Sequence, residues 1–414
     1  MKSGEKLNNL IVKFSNNIFI KAIADGMMAI MPITLLGSFL LVIKMIPNLP
    51  KIIINICTIG ANVSSNLIAL FIAIALSYTL AREMKSNIIA SIILALACFT
   101  ALMPNDALKV EGKPVPVIKL DYMGSKGIIV AMICSLLVTW SFAKLIEKKV
   151  TIRMPESVPP FINKTFESIV PAAIVFSVTI IIAALMQLTK YHDIQDFIYK
   201  MLQAPLQNLG NSVWSMLLIM LLSEMLWWFG IHGSNVTQSI IMVLFASNGY
   251  ANMASAAAGK QPTNIISSFF IDAYKGPRAL AIVFVILLFC KSEKLKAIGK
   301  VSFIPSWFGI TEPMKFGIPQ VMNPLMFIPL TLAAPICMAI AYVATKIGFI
   351  PIIAYDVPKQ FPAIFGGFVA GGWQGFVVQI IQFVVVVALY LPFLKKQDKI
   401  ELANELANLE AQEA

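Results

Sequence analysis

The chain has 414 residues, of which 58% are hydrophobic and 13% are charged, with a formal net charge of +11. Soluble domains are about 45–50% apolar and about 25% charged, so this composition excludes a soluble protein and predicts an integral membrane protein in contact with lipid. The apolar runs are continuous and do not alternate with polar residues, which predicts transmembrane helices and an all-α fold. The basic surplus is typical of cytoplasmic loops, so we expect no nucleic-acid partner.

Ten segments are apolar enough to be predicted as membrane spans. They lie at 27–46, 62–81, 88–104, 127–144, 169–189, 211–229, 235–247, 278–290, 324–345 and 376–394. The seventh and the eighth are short for a plain span, which takes about 20 residues. The first 26 residues carry lysines but no cleavable signal, and they predict an amphipathic helix that leads into the first span.

Lysine and arginine determine the predicted orientation. They cluster in the N-terminal arm, at 82–85, at 144–153, at 291–300 and after the last span. If these clusters are cytoplasmic, the number of spans is even and both termini are cytoplasmic. The loop at 105–126 opposes this orientation, because it holds four lysines and would be external. The other clusters outnumber it.

The five cysteines lie singly in apolar stretches, and no Cys-x-x-Cys or Cys/His spacing occurs. Small apolar core residues are the favoured interpretation. The sequence therefore indicates neither a metal site nor a redox pair, and we expect no cofactor.

The character of the chain changes near 190–210. Earlier spans are regular, whereas later ones are interrupted by glycine, proline and polar residues at membrane depth. Irregular backbone at that depth is tolerated only where it is buried in protein or lines an aqueous cavity. We therefore predict a scaffold half at 1–200 with about five spans, an active half at 201–400 and a charged tail at 401–414.

The stretch WWFGIHGSNV, Trp227 to Val236, places His232 between two residues that weaken a helix, Gly230 and Gly233. One interpretation is a buried imidazole bonded to a carbonyl that the glycine break sets free. The other is a hydrogen-bonding group that lines a pocket opened at those glycines. Asn235, about one turn along, could offer its amide to the same pocket.

The stretch GITEPMKFGIPQVMNP, Gly309 to Pro324, cannot form one continuous helix because of its prolines. It follows a basic turn, which predicts a re-entrant hairpin with Glu312 near the tip. A carboxylate at membrane depth normally faces a partner or an aqueous cavity, which favours a functional role. The alternative is a carboxylate at the interface that pairs with Lys315.

A histidine, an asparagine and a glutamate beside tryptophans have the composition of a sugar site, since planar rings stack on a pyranose and polar groups hold its hydroxyls. Trp373 lies in GGWQG, where glycines let a ligand approach closely. Trp227 and Trp228 could line the sugar or form an interfacial belt. Glu224, near the end of the sixth segment, either pairs with a lysine or caps a neighbouring helix, and the sequence does not decide between the two.

The segment FIDAYKGPRAL holds three charged residues, Asp272, Lys275 and Arg278. They either pair among themselves, which is the favoured interpretation, or present cations to an anionic partner.

FGIHG at 229–233, followed by an EP-x-x-FG-x-P-x-x-x-NP segment from Glu312 to Pro324, resembles the membrane (IIC) subunit of the lactose/cellobiose (diacetylchitobiose) family. That family belongs to the phosphoenolpyruvate-dependent sugar phosphotransferase system. The resemblance implies ten membrane helices, two re-entrant hairpins and a homodimer formed through the N-terminal half. It also implies an elevator-type C-terminal half that carries sugar across the bacterial cytoplasmic membrane.

The same resemblance implies a chemistry. A cytoplasmic IIB protein, phosphorylated on a cysteine, would phosphorylate the 6-hydroxyl of a β-linked disaccharide. The matched His232 and Glu312 would line the sugar site, with Glu312 as the catalytic group near the reacting hydroxyl. Gly233, Asn235 and Trp373 complete the predicted substrate-binding set. Because no soluble cysteine-bearing segment follows the last span, we expect a separate IIB partner.

The sequence departs from the family pattern at two places. Thr311 stands where the family often has the asparagine of NEP, and Tyr274 to Arg278 replaces a glycine-rich GGSGAT-type loop. The second departure would suit an unusual or charged sugar.

Two other classes of function compete with this prediction. A proton-coupled secondary sugar transporter would use Glu312 and His232 as its proton relay. An intramembrane enzyme acting on lipid is disfavoured, since the sequence lacks a metal cluster, a nucleophile–base pair and a phosphate loop.

Overall fold

The structure is a computed structural model that describes residues 17–44, 48–104, 106–110, 113–152, 155, 160–203, 209–230, 232–318, 320–357 and 361–413. The first 16 residues of the predicted N-terminal amphipathic helix lie outside the described residues, and the rest of it, from Ile18, forms the start of a helix that continues to Ala29. In the part described, the regular secondary structure is helical except for one short β-hairpin.

The helices up to residue 209 are α1 (Ile18–Ala29), α2 (Met31–Lys44), α3 (Lys51–Asn66), α4 (Ile68–Glu83), α5 (Ile88–Ala101), α6 (Leu120–Met123), α7 (Ile128–Glu147), α8 (Pro160–Gln187) and α9 (Ile194–Ile198). Strands β1 (Asp106–Val110) and β2 (Lys113–Val117) pair antiparallel in the loop that the sequence predicts to be external. A π-helical segment, Tyr199–Gln203, follows α9.

The later helices are α10 (Val213–Trp228), α11 (Gly233–Ala257), α12 (Ser268–Tyr274), α13 (Arg278–Phe289), α14 (Glu293–Trp307), α15 (Glu312–Gly317), α16 (Phe327–Lys346) and α17 (Phe365–Glu413). Single 3₁₀ turns precede α7 at Ser125–Gly127 and α16 at Pro324–Met326.

The chain divides into two compact units. Unit 1 comprises 1–209 and 238–261, and unit 2 comprises 210–237 and 262–414. Helix α11 therefore begins in unit 2 and continues in unit 1. The assignment of a scaffold role to 1–200, a transport role to 201–400 and a separate tail to 401–414 stays a prediction.

In unit 1, helix α4 is central and packs on α1, α5 and α7. Its buried face repeats every four residues, with Ile68, Ile72, Leu76 and Leu80 all fully buried. Thr79 on the same helix donates its hydroxyl to the carbonyl of Ala22 on α1 at 3.0 Å. Helices surrounded by lipid associate through such close packing and interhelical hydrogen bonds, because lipid removes most of the hydrophobic driving force.

Among the described residues, six helices are long and apolar enough to cross a membrane. They are Ile18–Leu41, Ser125–Glu147, Ile162–Gln187, Val236–Ala257, Pro324–Lys346 and Phe365–Ala407. The pair α3 and α4, bent by 52°, would make a seventh, and α5 and α10 are shorter apolar helices. The chain is thus a helical protein with several apolar helices suited to a membrane. Each of the ten predicted segments overlaps one or two of the described helices, and their number as membrane spans stays a prediction.

The core of unit 2 lies where α13, α14, α16 and α17 pack together. Its interruptions fall where glycine and proline predict them. Helix α10 ends at Trp228 before the next begins at Gly233, and α14 turns back into the short α15. Gly317 packs so closely on the other arm of that hairpin that a Cβ there would lie 2.8 Å from Ile298 Cγ2.

Two glycines reverse the chain inside the segment assigned to α17. Gly371 has non-helical angles, and Gly372 has a φ of 65°, which only glycine adopts readily. The two arms lie so close that a Cβ on Gly367 would collide with the carbonyl oxygen of Gly375. The predicted break in FPAIFGGFVAGGWQGF is therefore a tight helical hairpin.

The C-terminal tail is the helical continuation of α17. Asp398 Oδ1 accepts from the backbone N–H of Lys291 and of Ser292, each at 2.8 Å. Glu405 accepts from the hydroxyl of Ser292 at 2.6 Å and from the N–H of Lys294 at 3.0 Å. The carboxylates of α17 thus satisfy the free donors at the N-terminus of α14.

Candidate functional site

The two sequence motifs meet at the C-terminal end of α10. Trp228 accepts at its carbonyl from the N–H of Met322 at 2.8 Å, and its indole N–H donates to the carbonyl of Asn323 at 2.8 Å. Gly230, with a φ of 80°, ends the helix, and a Cβ there would lie 3.2 Å from Val321. WWFGIHG and GITEPMKFGIPQVMNP, whose first residues are 82 positions apart in sequence, therefore lie side by side.

His232 is half-buried and lies just before α11. Its ring centroid is 4.2 Å from that of Trp227, with the planes inclined by 49°. Trp227 is 1% exposed, and its indole N–H donates to Ser234 Oγ at 3.3 Å. Trp227 is thus a core residue. It neither lies at the surface as part of an interfacial belt nor exposes its ring to stack on a sugar.

Gly233 is the first residue of α11, and its lack of a side chain serves packing. A Cβ there would collide with the carbonyl oxygen of Ser223 on α10. The glycine break that the sequence predicts is confirmed at Gly230 and Gly233, and it lets α11 start directly against the end of α10.

Three charged side chains meet beneath this break. Glu224 on α10 is 3% exposed and accepts from Arg278 at one oxygen and from Lys315 at the other, the latter at 3.0 Å. The Lys315 ammonium also lies 4.0 Å from the centroid of the Trp227 ring. We call Glu224, Arg278 and Lys315 the Glu224 cluster.

The Glu224 cluster corrects the expected pairing in FIDAYKGPRAL. Lys275 does pair with Asp272, at 3.6 Å, but Arg278 binds Glu224, which lies 54 residues away in sequence. The Arg278 guanidinium thus binds a carboxylate within the protein. This contact counts against the interpretation that Arg278 binds a charged sugar. The sequence offered an unnamed lysine as a partner of Glu224, and Lys315 is that lysine. The full cluster was missed because its members lie in three separate segments, although ionisable residues in apolar segments were the available signal.

The segment that carries Arg278 also approaches its neighbour closely. Gly276 has a φ of 90°, and a Cβ there would collide with the side chain of Cys337 on α16. The side-chain amide of Gln382 on α17 donates to the carbonyls of Tyr274 at 3.0 Å and Cys337 at 2.8 Å. These contacts fix the start of α13, and hence the position of Arg278.

Glu312 is the first residue of α15, next to the turn of the α14–α15 hairpin, as predicted for a residue near the tip. Thr311, which stands at the N-cap, makes no side-chain capping bond. The side chains of Glu312 and Asn235 lie outside the described residues, so their roles stay predictions.

Trp373 follows the Gly371–Gly372 turn at the other hairpin. It is 61% exposed, and its ring meets that of Phe349 edge to face at 6.0 Å. The backbone N–H of Gly367 in the same hairpin donates to Gln379 Oε1 at 3.0 Å. Trp373 thus has an open face at a hairpin tip, and its contact with sugar stays a prediction.

A family comparison decides which class of membrane protein this is. Residues 24–334 match the family described as "Phosphotransferase system, EIIC". The chain belongs to the phosphotransferase system EIIC family. The resemblance drawn from FGIHG and the EP…NP segment is therefore confirmed.

Relatives of this EIIC protein are similar over nearly their whole lengths. The oligo-beta-mannoside-specific EIIC component of Bacillus subtilis (strain 168) is 30% identical over 97% of this chain and 95% of its own. The cellobiose-specific EIIC component of Geobacillus stearothermophilus is 27% identical over 96% of this chain and 93% of its own.

A solved structure is similar in both sequence and fold. The crystal structure of the transporter ChbC, the IIC component from the N,N'-diacetylchitobiose-specific phosphotransferase system, matches with a TM-score of 0.90 and 30% identity. The match covers 97% of this chain and 98% of that one. As an EIIC protein, the chain acts with a sugar substrate and a IIB domain or subunit.

Proposed function

We propose that this EIIC protein binds a β-linked disaccharide, carries it across the bacterial cytoplasmic membrane and presents its 6-hydroxyl to a separate phosphorylated IIB protein. The observation that carries the proposal is similarity over almost the whole chain to proteins named for oligo-β-mannosides, cellobiose and N,N'-diacetylchitobiose. The packing of the His232 segment against the Glu312 segment supports it, since both motifs then contribute to one site.

His232, Gly233, Asn235, Glu312 and Trp373 form the proposed sugar site. The imidazole and the amide bond sugar hydroxyls, and the exposed indole stacks on a pyranose face. In the transfer, the S–P bond of the IIB phosphocysteine breaks and an O–P bond forms at the sugar 6-oxygen. The thiolate leaves with its electron pair, while Glu312 orients the hydroxyl and accepts its proton.

The transport mechanism that we propose is an elevator with ten membrane helices and both termini in the cytoplasm. The division into two compact units supports one moving body and one fixed body. The α14–α15 hairpin and the hairpin at Gly371–Gly372 serve as the two re-entrant segments. Irregular backbone of this kind is tolerated at membrane depth where it lines a cavity.

In the proposed homodimer, unit 1 contacts unit 1 of a second copy of the chain. The stretch Ile162–Gln187 of α8 is long and apolar enough to cross a membrane, but only 17% of its most apolar part is buried within the chain. A helix this apolar needs lipid or another protein against its open face. A second copy would supply that cover and hold the scaffold still while unit 2 moves.

The substrate class is tested by heat protection of the purified protein in detergent. A panel of cellobiose, lactose and N,N'-diacetylchitobiose is compared with maltose, an α-linked control. We expect at least one β-linked sugar to raise the midpoint of thermal unfolding, since a ligand stabilises the state that it binds. Protection by maltose alone, or by none of the four, would contradict the proposed substrate class.

A further inference from the structure

The Glu224 cluster joins three elements at one buried carboxylate. Glu224 comes from α10, Arg278 is the first residue of α13, and Lys315 lies on the short helix α15. The three side chains are 3%, 11% and 6% exposed, respectively. Both oxygens of Glu224 are occupied, one by each cation.

Stability alone explains this cluster poorly. Taking charges out of water costs about as much as their attraction returns, and well-packed apolar residues are often equally stable. A cation at the first residue of a helix is also unfavourable to the helix dipole, as Arg278 is on α13. Within the cluster, two cations share the single carboxylate of Glu224.

The cluster places the Lys315 ammonium against the ring of Trp227, which in turn contacts the His232 ring. The Lys315 ammonium lies 4.0 Å from the ring centroid, and the His232 ring lies 4.2 Å from the Trp227 ring. A cation above an indole is attracted to a defined place on its face. Trp227 therefore contacts both the helix that carries Glu312 and the side chain of His232.

Lys315 is three residues after Glu312 on α15, within one helical turn. Anchoring Lys315 consequently fixes the rotation of this six-residue helix, which is too short to be stable by itself. We propose that Glu224, Arg278, Lys315 and Trp227 are positioning residues that set the places of Glu312 and His232. This inference rests on the proposed function, in which those two residues handle the sugar.

The test uses Lys315→Met in the full-length chain. Methionine keeps much of the length and volume of lysine, and the substitution leaves Glu224 and Arg278 as a balanced pair, so the core of unit 2 stays folded. Lys315→Arg is the conservative variant, since it keeps a cation for the carboxylate and the ring. Lys294→Met is the matched control, because it removes a lysine paired at 2.9 Å with another glutamate of unit 2, Glu401.

Two functional readouts separate positioning from folding. They are the Kd of the disaccharide that best protects the wild type, and the rate of phosphoryl transfer at saturating sugar. We expect Lys315→Met to weaken binding and slow transfer by about tenfold or more each, since small misplacements of a site are costly. Lys315→Arg should restore both to within about threefold, and Lys294→Met should leave both unchanged. Wild-type binding and transfer by Lys315→Met would overturn the proposal.

A third readout needs no sugar. The full-length chain is labelled with 5-fluorotryptophan, and the Trp227 resonance is assigned by its loss in Trp227→Phe. We expect this resonance to move in Lys315→Met and in His232→Ala but not in Lys294→Met. An unmoved resonance in Lys315→Met would overturn the positioning by itself. If no disaccharide binds the wild type while the resonance moves as expected, the substrate assignment fails and the positioning contacts stand.

Discussion

At the scale of single residues, the chemistry of the site is divided between groups proposed to contact sugar and groups that hold them. His232 and Glu312 are the proposed contacts, whereas Trp227 and the Glu224 cluster lie in the core beneath. Each kind of residue predicts a different response to substitution.

The first prediction separates binding from transfer. Glu312→Gln keeps an amide able to hydrogen-bond the sugar but cannot accept a proton, so we expect binding to be largely kept and phosphorylation to fall by about 10²-fold or more. His232→Ala should mainly weaken binding. The measurement is the rate of sugar phosphorylation with saturating sugar and phosphorylated IIB. Equal rates for Glu312→Gln and the wild type would remove Glu312 from the chemistry.

The second prediction concerns stability and contrasts two members of the Glu224 cluster. Glu224→Gln removes the carboxylate that both buried cations contact, and we expect it to lower the free energy of unfolding by about 3 kcal/mol or more. Lys315→Met leaves a neutral pair and should cost about 1 kcal/mol. Thermal unfolding in detergent measures both. A larger loss for Lys315→Met than for Glu224→Gln would contradict the charge argument.

The sequence predicted the residues of the two motifs better than it predicted their partners. A histidine between glycines and a glutamate before a proline are local patterns that can be recognised in the sequence alone. The partners of Glu224 lie 54 and 91 residues away, and nothing local in the sequence encodes those distances. Trp227 likewise proved to be a core residue because the tertiary fold covers it.

At the scale of helices, unit 2 depends on the way that α17 holds α14. Asp398 and Glu405 on α17 accept from backbone N–H groups at the start of α14, the first arm of the hairpin that carries Glu312. The position of this hairpin is therefore linked to the tail, which the sequence predicts to be short, charged and helical and which the structure shows as the end of α17.

The third prediction removes this link. Asp398 is 5% exposed, so Asp398→Ala leaves two backbone donors without their acceptor and should cost about 2 kcal/mol. Hydrogen exchange in the segment 291–307 should accelerate, while exchange in α4 of unit 1 should not change. Glu410→Ala, at an exposed position on the same helix, is the control and should have no effect. Unchanged exchange in Asp398→Ala would show that other contacts position α14.

Helix breaks were predictable because glycine and proline act locally, and all of the predicted interruptions in unit 2 occur. Helix lengths were less predictable. The seventh predicted segment ended at 247, yet α11 continues to Ala257. Its later turns carry polar residues such as Asn248 and Asn252, which are buried in the protein and so lower the hydropathy without ending the helix. The β-hairpin in the loop at 105–126 gave no recognised signal.

At the scale of the whole molecule, two short motifs identified the family that the comparisons confirm. The sequence predicted a change of character near 190–210, but it did not predict that 238–261 groups with the first unit, because that grouping depends on contacts distant in sequence. The proposed account is that unit 2 carries a bound disaccharide across the membrane and that release follows phosphorylation.

The most direct test is transport into sealed vesicles that contain the purified protein, oriented with its cytoplasmic face inside. Radiolabelled disaccharide is added outside, with phosphorylated IIB trapped inside, and the internal label is separated into free and phosphorylated sugar. We expect sugar phosphate to accumulate only with phosphorylated IIB, and Glu312→Gln to abolish most of it. Accumulation of free sugar against its gradient, without IIB and driven by a proton gradient, would contradict the account and support a proton-coupled transporter.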